Sequence, residues 1–496
     1  MIAAVPAANS AADKAIASDP PGLRLIPGSA LAIASAVAFH IAFLVPALFP
    51  LVIAQLGCLF ALRRVTTPRQ AFYLGLAAGM GVYPVQMGFL WSIFGAAALP
   101  LWLILAVFYG LFVVLLQRVE FHWGPSWTLS LAPVLWCGIE YFRSEVWWLR
   151  FSWFTSGTCI PSEALGLLRV FGIYGTGMLA ALAGAAGCRW IEVGCPPPSR
   201  RQLPAAGLAT LTVLAVATGP RWLPAKTPTT ITPVKVAGLQ LEFPGVPEVR
   251  IALDRLRTAH PDAQLLQLSE YTFEGPVPEP ILAWCRRNSV WLIAGGREAF
   301  TSDGDGDRFF NTAFVVNPGG TVAFSQAKSR PIQFFRDGEP AKGRRVWESP
   351  WGSIGIAICY DASYRRVMDD LVKQGARALL IPTMDLEAWG AYQHQLNARM
   401  AGLRAMEYGL PVFRVASSGI SMVLDHQGAI LASAPFPGPG AMIAGTLNLR
   451  PARPARRWIP LDAWLAPACT IGTAFIAGLL LLTHFRNHRP GSLRSS

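Results

Sequence analysis

The chain has 496 residues, of which 53% are hydrophobic and only 14% are charged, with a formal net charge of +13. This apolar fraction excludes a single soluble domain and indicates several membrane spans. Arginines adjoin apolar segments, so the positive charge indicates membrane topology, and we expect no nucleic-acid partner. The eight cysteines are scattered without a Cys-x-x-Cys pair, which excludes a disulfide framework and a zinc-finger pattern.

The chain begins with an Ala-rich stretch, residues 1–24, that we expect to be disordered. Eight apolar segments follow, each close to the roughly 17–25 residues that a helix needs to cross a bilayer. They lie near 27–45, 46–62, 71–94, 97–117, 126–143, 165–188, 203–220 and 463–483. We therefore predict a transmembrane bundle of about seven helices over 25–222, a C-terminal transmembrane helix over 460–485 and a cytoplasmic tail over 486–496.

Arginines mark alternate connections between these segments. The connections after the second, fourth and sixth segments and the C-terminal tail contain arginine, whereas those after the first and third contain none. Positive residues favour the cytoplasmic side, so we predict that both termini are cytoplasmic and that the long block before the last segment faces outward. Arg143 and Arg150, after the fifth segment, depart from this pattern and are interpreted as interfacial anchors or as ligands of a lipid phosphate.

The block over 233–450 has the pattern of a separate α/β domain. Short apolar stretches typical of strands lie at 234–240, 263–269, 290–296, 312–317, 321–327, 354–358, 378–383 and 411–417. Stretches typical of helices lie at 247–258, 277–288, 363–375 and 390–408. Strands that alternate with helices and hairpins indicate a layered α/β sandwich.

Three of the predicted strands stop at a titratable residue. Glu270 follows the strand at 263–269, Lys328 follows 321–327 and Cys359 follows 354–358. An apolar strand that ends in this way carries the residue from the core to a sheet edge, where clefts form. Taken singly, the two charged residues are typical of solvated loops and the cysteine of a buried core position.

Together the three residues make a catalytic set. Cys359 is the candidate nucleophile, and the helix predicted to begin at 363 would lower the pKa of its thiol. Glu270 is the candidate general base. Lys328 is the candidate stabiliser of an oxyanion, with the backbone N–H after the cysteine as a second donor. The histidines lack metal-ligand spacing and no phosphate loop is present, so we expect no metal and no cofactor.

The three motifs resemble those of a known superfamily. "LSE" at 268–270, "AKSRP" at 327–331 and "ICYD" at 358–361 are similar, in order and spacing, to the Glu, Lys and Cys motifs of the nitrilase, or carbon–nitrogen hydrolase, superfamily. The segment 391–421 resembles the block that follows the nucleophile in this group. The resemblance implies a four-layer αββα sandwich and a covalent thioester intermediate.

The membrane part narrows the resemblance. Seven spans, an outward nitrilase-like domain and a last span form the layout of the apolipoprotein N-acyltransferase family, and 138–154 and 171–179 resemble its span sequences. The family implies an enzyme of the bacterial inner membrane, expected to be a monomer. It moves a fatty acyl group from a phospholipid, through the cysteine thioester, to the α-amino group of a diacylglyceryl-modified apolipoprotein cysteine.

Several positions depart from the family pattern. The segment after the lysine, 328–347, is short, and Glu339 is the candidate for the family's second glutamate. Tyr360 and Asp361, beside the nucleophile, are further candidate site residues, and Asp361 replaces the usual glutamate. No residue is assigned to bind the lipid. The departures leave two alternatives open: a membrane-anchored nitrilase-type amidase with water as acceptor, and an acyltransferase with a different amine acceptor.

Overall fold

The structure is a computed structural model that describes residues 25–159, 165–192, 231–300, 308–451 and 459–487. The N-terminal stretch 1–24 and the seventh apolar segment, 203–220, lie outside these residues, as does the tail from 488 onward.

The first part of the chain is helical. Its helices are α1 (Leu25–Leu44), α2 (Leu51–Ala61), α3 (Pro68–Gln86), α4 (Phe89–Phe94), α5 (Ala98–Trp123), α6 (Pro125–Tyr141) and α7 (Leu165–Glu192). Many of the side chains that these helices turn outward are apolar, as is typical of helices in contact with lipid; examples are Ile33, Val37, Leu103 and Leu111. The inner faces pack small residues closely, as where Gly79 of α3 meets Ala106 of α5.

Four described helical segments are long and apolar enough to cross a membrane: Ile26–Leu44, Phe89–Trp123, Gly166–Glu192 and Asp462–Thr483. The predicted second segment, 46–62, divides into a short turn and the 11-residue helix α2. At 1.5 Å per residue such a helix is only about 17 Å long, too short to span the roughly 30 Å of hydrocarbon. The chain therefore has a helical membrane part, and the number of eight spans stays a prediction.

The second part contains two six-stranded sheets. The strands are β1 (Thr232–Leu239), β2 (Leu265–Gln267), β3 (Trp291–Ala299), β4 (Phe309–Val316), β5 (Val322–Ala327), β6 (Trp347–Ser349), β7 (Gly352–Ile356), β8 (Ala378–Thr383), β9 (Val412–Ala416), β10 (Met422–Leu424), β11 (Ile430–Ser433) and β12 (Met442–Leu449). The first sheet has the order β12-β1-β2-β3-β4-β5 and the second β11-β10-β9-β8-β7-β6. The helices are α8 (Val246–Ala259), α9 (Glu279–Asn288), α10 (Arg365–Lys373) and α11 (Ala391–Tyr408), and α12 (Asp462–Asn487) follows the sheets.

Successive side chains of a strand point to opposite faces of its sheet, and the inner faces of the two sheets pack against each other. Val236 and Ile293 of the first sheet lie in one core with Val415 of the second. Their neighbours Ala237 and Leu292 point the other way and pack with α8 and α9. Helices α10 and α11 cover the second sheet. The predicted αββα sandwich is thus confirmed, and all eight predicted strands and four predicted helices of this domain are present within a few residues.

The last helix is joined to the bundle through a break in α7. Gly172 interrupts that helix with φ 71° and ψ −179°, a conformation open essentially to glycine alone. The break exposes backbone N–H groups, and the carboxylate of Asp462, at the start of α12, accepts one from Tyr174 at 3.0 Å. Glu407 of α11 accepts another from Ile173 at 3.1 Å. The break therefore ties the bundle, the sandwich and the last helix together.

We expect Gly172→Ala to lower the midpoint of thermal unfolding of the intact protein in detergent. The added methyl would overlap the Asp462 carboxylate, and the backbone strain alone costs about 1–3 kcal/mol. Gly187→Ala is the matched control, because nothing lies within 4 Å of the new methyl on the same helix. Equal midpoints for the two variants would contradict the proposed role of the break.

Candidate active site

The three strand-end residues come from two sheets. Glu270 follows β2 and Lys328 follows β5 in the first sheet, whereas Cys359 follows β7 in the second. All three side chains are almost fully buried. Because the sheets are stacked, the ends of these strands meet at one edge of the sandwich, and the structure brings the three residues to a common site.

A buried ion cluster, defined as Glu270, Lys328 and Asp337, forms the polar side of this site. The Lys328 Nζ lies 2.8 Å from Glu270 Oε1 and 2.7 Å from Asp337 Oδ2. Asn311 donates to both carboxylates, at 2.6 and 2.8 Å. Burial alone would lower the pKa of Lys328, but the carboxylates of Asp337 and Glu270 outweigh it and raise that pKa well above the usual range.

The second carboxylate of the cluster is Asp337 and not the predicted Glu339. The side chain of Glu339 is 36% exposed and pairs with Arg308 at 3.0 Å on the surface. Gly338, with φ 80°, turns the chain between the two acids and sends them in different directions. Asp337 also accepts from Tyr271 Oη at 2.8 Å and from the backbone N–H of Ile332 at 2.7 Å. In the sequence, the one feature that points to Asp337 is the glycine that directly follows it.

Cys359 lies in a strained turn at the end of β7. Its φ is 49°, which a non-glycine residue adopts only when its surroundings hold it there, as they often do at functional sites. The Sγ lies 3.7 Å from the carbonyl oxygen of Met384 and 3.8 Å from Asn397 Nδ2. The N–H of the same Met384 donates to Glu270 Oε2 at 2.8 Å. One residue therefore contacts both the thiol and the carboxylate.

The predicted lowering of the thiol pKa is wrong. Burial, followed by the carboxylate of Glu270, raises the pKa of Cys359 well above its usual range, and Lys328 opposes this only in part. Helix α10 begins six residues later, at Arg365, so its N-terminus does not adjoin the thiol. The pKa of Glu270 is itself raised by burial, against the lowering effect of Lys328. The resting cysteine is thus a neutral thiol beside a carboxylate with raised basicity.

Asp361 holds the backbone of the site. Its carboxylate accepts N–H groups from Ser329 at 3.0 Å, Arg330 at 2.7 Å and Ile358 at 3.2 Å. These bonds fasten the loop after Lys328 to the turn that contains the nucleophile. Burial raises the pKa of Asp361 to about 6 despite these donors. Its contacts are those of a positioning residue.

An apolar cleft reaches the cysteine from the membrane part of the chain. The space within it, including the part that is open to solvent, is about 870 Å³. It is lined by α4, α5, α11 and the segments 149–153, 332–335 and 359–360. The lining residues include Met87, Leu90, Phe94, Leu101, Leu105, Leu149, Arg150, Trp153, Ile332, Phe335, Cys359, Tyr360, Trp389 and Asn397. Tyr360 stands against Trp153, with ring centroids 6.2 Å apart, and Trp153 Nε1 donates to Ser363 at 2.9 Å. The cleft is therefore shared by the bundle and the sandwich.

Metal ligands are not apparent at the site. Lys328 lies between the two carboxylates of the ion cluster. Within the described ranges, no three His, Cys, Asp or Glu side chains are grouped so as to hold a metal ion.

Two family models match separate parts of the chain. That of the carbon–nitrogen hydrolases matches residues 241–457, and that of the apolipoprotein N-acyltransferase N-terminal domain matches residues 35–186. The first range contains the whole ion cluster and Cys359, and the second contains the bundle side of the cleft.

Two of the similar proteins match nearly the full chain, and a third matches part of it. An apolipoprotein N-acyltransferase from Geobacter metallireducens is 26% identical over 90% of this chain and 94% of its own length. One from Azotobacter vinelandii is 25% identical over 94% of this chain and 97% of its own. A deaminated glutathione amidase from Dictyostelium discoideum is 25% identical over 33% of this chain and 62% of its own length.

We expect alkylation of Cys359 by iodoacetamide to show a pH midpoint above the usual thiol value of about 8.5, because burial raises the thiol pKa. Glu270→Gln should lower the midpoint, since it removes a negative charge, and Lys328→Met should raise it. The rate is measured from the mass of the peptide that contains the cysteine. A midpoint at or below 8.5, or one unmoved by both variants, would contradict this electrostatic description.

Proposed function

The chain belongs to the carbon–nitrogen hydrolase superfamily, in its membrane-embedded apolipoprotein N-acyltransferase branch, and from this membership we propose that it is a phospholipid-dependent N-acyltransferase. A fatty acyl group moves from a membrane phospholipid to the α-amino group of a diacylglyceryl-modified apolipoprotein cysteine. The observation that carries the proposal is the apolar cleft, because it gives a lipid chain a dry path from the bundle to Cys359.

The first half-reaction forms the thioester. Glu270 takes the proton of the Cys359 thiol, and Sγ attacks the ester carbonyl carbon of the phospholipid. Lys328 stabilises the negative charge that develops on the carbonyl oxygen, with the backbone N–H after the cysteine as a second donor. When the intermediate collapses, the C–O bond breaks and Glu270 returns its proton to the departing oxygen. The products are the acyl-thioester and a lysophospholipid.

Asp337 has a defined part in this step. While Glu270 holds the thiol proton it is neutral, and a lysine with no other partner would be left as a buried unpaired charge. The carboxylate of Asp337, 2.7 Å from Nζ, keeps Lys328 charged throughout the step. The ion cluster can therefore move one proton without losing its ammonium group.

The second half-reaction transfers the acyl group. The amine of the acceptor attacks the thioester carbonyl, and Glu270 takes a proton from the amine. When the C–S bond breaks, Glu270 passes that proton to the departing sulfur and so restores the thiol. Water must be excluded during this step, because it would hydrolyse the thioester. The apolar lining of the cleft on the side of Trp153 and Phe335 supports such exclusion.

The alternative activity is hydrolysis of an amide by the same residues. The similarity to an amidase over 33% of the chain supports this alternative. An amidase with a small substrate has no need of a long apolar cleft that continues into membrane helices, so the cleft favours the acyltransferase. An acyltransferase with another amine acceptor would differ only in the second half-reaction.

We further propose that the sandwich faces outward from the cytoplasmic membrane, as the arginine pattern indicates. A fluorescent protein that folds only in the cytoplasm is expected to stay dark when fused near residue 300. The same fusion at the C-terminal tail, after residue 487, should be bright and serves as the control. Fluorescence from the fusion near residue 300 would overturn the orientation.

We expect the purified protein, incubated with phospholipid in detergent, to gain the mass of one fatty acyl group. Cys359→Ala should abolish the adduct, because the thioester has no other attachment point, and hydroxylamine should remove it from the unchanged protein. Cys285→Ala is the matched control, because Cys285 is also buried and free but packs between α9 and the outer face of the first sheet. The measurement is intact-protein mass.

The second half-reaction separates the alternatives. Addition of a diacylglyceryl-cysteine peptide should release the acyl group and yield an N-acylated peptide. Absence of any adduct with phospholipid, together with turnover of small amides, would refute the acyltransferase and favour the amidase. Transfer only to other amines would retain the thioester chemistry and change the acceptor.

A further inference from the structure

Two arginines, one in the lining of the cleft and one close to it in the chain segment that continues into the lining, have no acidic partner among the described residues. Arg150 lines the cleft together with Cys359. Arg330 follows Lys328 by two residues, is half-buried, and has a buried Nε without a hydrogen-bond partner. Neither guanidinium forms an ion pair with a carboxylate in the part of the chain that the structure describes. Two guanidinium groups near the cleft are therefore without a carboxylate partner.

Tyr364 brings the two arginines to one place. Its hydroxyl donates to the backbone carbonyl of Arg150 at 3.1 Å, and the guanidinium of Arg330 lies over its ring at 5.9 Å from the centroid. Gln333 Nε2 donates to the carbonyl of Trp148 at 3.3 Å and so joins the two segments that carry the arginines. A segment of the bundle and a segment of the sandwich thus form one rim.

The local charge is positive. Burial and the guanidinium of Arg150 lower the pKa of Arg330, and Arg344 and Arg366 add to this effect. Glu145 is the acidic group that opposes it. Arg344 is paired with Asp370, which leaves Arg150 and Arg366 as the cations that Glu145 opposes. An anion at the rim would reduce the repulsion between these guanidinium groups and that of Arg330.

The exposed aromatic side chains beside the rim indicate that the anion is the phosphate of a lipid. Trp148 and Phe334, which flank the rim, are 64% and 62% exposed. Exposed aromatic side chains next to arginine are typical of the membrane–water interface, at the depth of lipid headgroups. Guanidinium groups bind phosphate oxygens in pairs of parallel hydrogen bonds, so two of them suit a phosphodiester.

We propose that Arg150 and Arg330 form a headgroup site that binds the phosphate of the donor phospholipid while its acyl chain enters the cleft toward Cys359. The proposal rests on the proposed function, and it adds that the phosphate contributes to donor selection. Arg143, the other arginine interpreted as a phosphate ligand from the sequence, is buried and lies over the ring of Tyr83 at 5.9 Å, away from the rim.

The test compares two acyl donors with the same chains, phosphatidylethanolamine and diacylglycerol, at limiting concentration in mixed micelles. The rate of thioester formation is read by intact-protein mass. The unchanged protein should react about ten- to hundredfold faster with the phospholipid, as expected for charge-assisted hydrogen bonds to a phosphate. Arg150→Gln/Arg330→Gln should bring the ratio of the two rates close to one, because the phospholipid rate falls about ten- to hundredfold more than the diacylglycerol rate.

The matched control is Arg255→Gln, which removes one exposed guanidinium on α8, in the outer helix layer of the sandwich. It should leave the ratio unchanged. The diacylglycerol rate reports folding, so an equal loss with both donors in the double variant would show a structural role and overturn the proposal. A ratio that is the same in the unchanged protein and the double variant would overturn it as well.

Two further arms distinguish the sources of failure. Inorganic phosphate in large excess over lipid would compete for the same two guanidinium groups, so it should lower the phospholipid rate toward the diacylglycerol rate and leave the diacylglycerol rate unchanged. Equal inhibition of both donors would overturn the headgroup site. Absence of a thioester with both donors in the unchanged protein would refute the proposed function itself. Thioester formation with an unaltered donor ratio would refute the headgroup site alone.

Discussion

The buried ammonium of Lys328 is the group on which the rest of the site depends. A lysine in this interior is costly unless it is paired, and the pairing fixes Glu270 and Asp337 around it. The loop that carries the lysine is held to the turn of the nucleophile by Asp361. These contacts hold the two sheets of the sandwich together at the edge where the chemistry is proposed to occur.

The second constraint is that the sandwich and the helical bundle both contribute residues to the cleft. Its polar end, with Cys359 and Asn397, comes from the sandwich, whereas most of its apolar wall comes from the bundle. Contacts that cross between them, such as Trp153 to Ser363 and Asp462 to Arg365, hold the two parts together. A lipid substrate fits this arrangement because its acyl chain needs apolar surroundings, whereas its ester group must reach the polar end of the same cleft.

Much of the fold could be predicted from the sequence. Apolar strands that end at Glu270, Lys328 and Cys359 were visible as local patterns, and the helices between them follow the usual period. The short strands β6, β10 and β11 and the long β12, which pairs with β1, were not predicted. β12 has an uneven burial pattern and lies far from β1 in the chain, so its pairing has no local signal.

The family resemblance, the apolar helical segments, the αββα layers and the three strand-end residues can all be recognised in the sequence, because periodicity and ordered motifs are local properties of the chain. The folded structure was needed to show that Asp337 and not Glu339 faces the lysine, because a glycine turn directs neighbouring acids to opposite sides. It also decided that the thiol pKa is raised, because burial is a property of the packed fold. The pairing of Arg150 with Arg330 at the rim arises in the same way, since they are 180 positions apart in the chain and meet only across Tyr364.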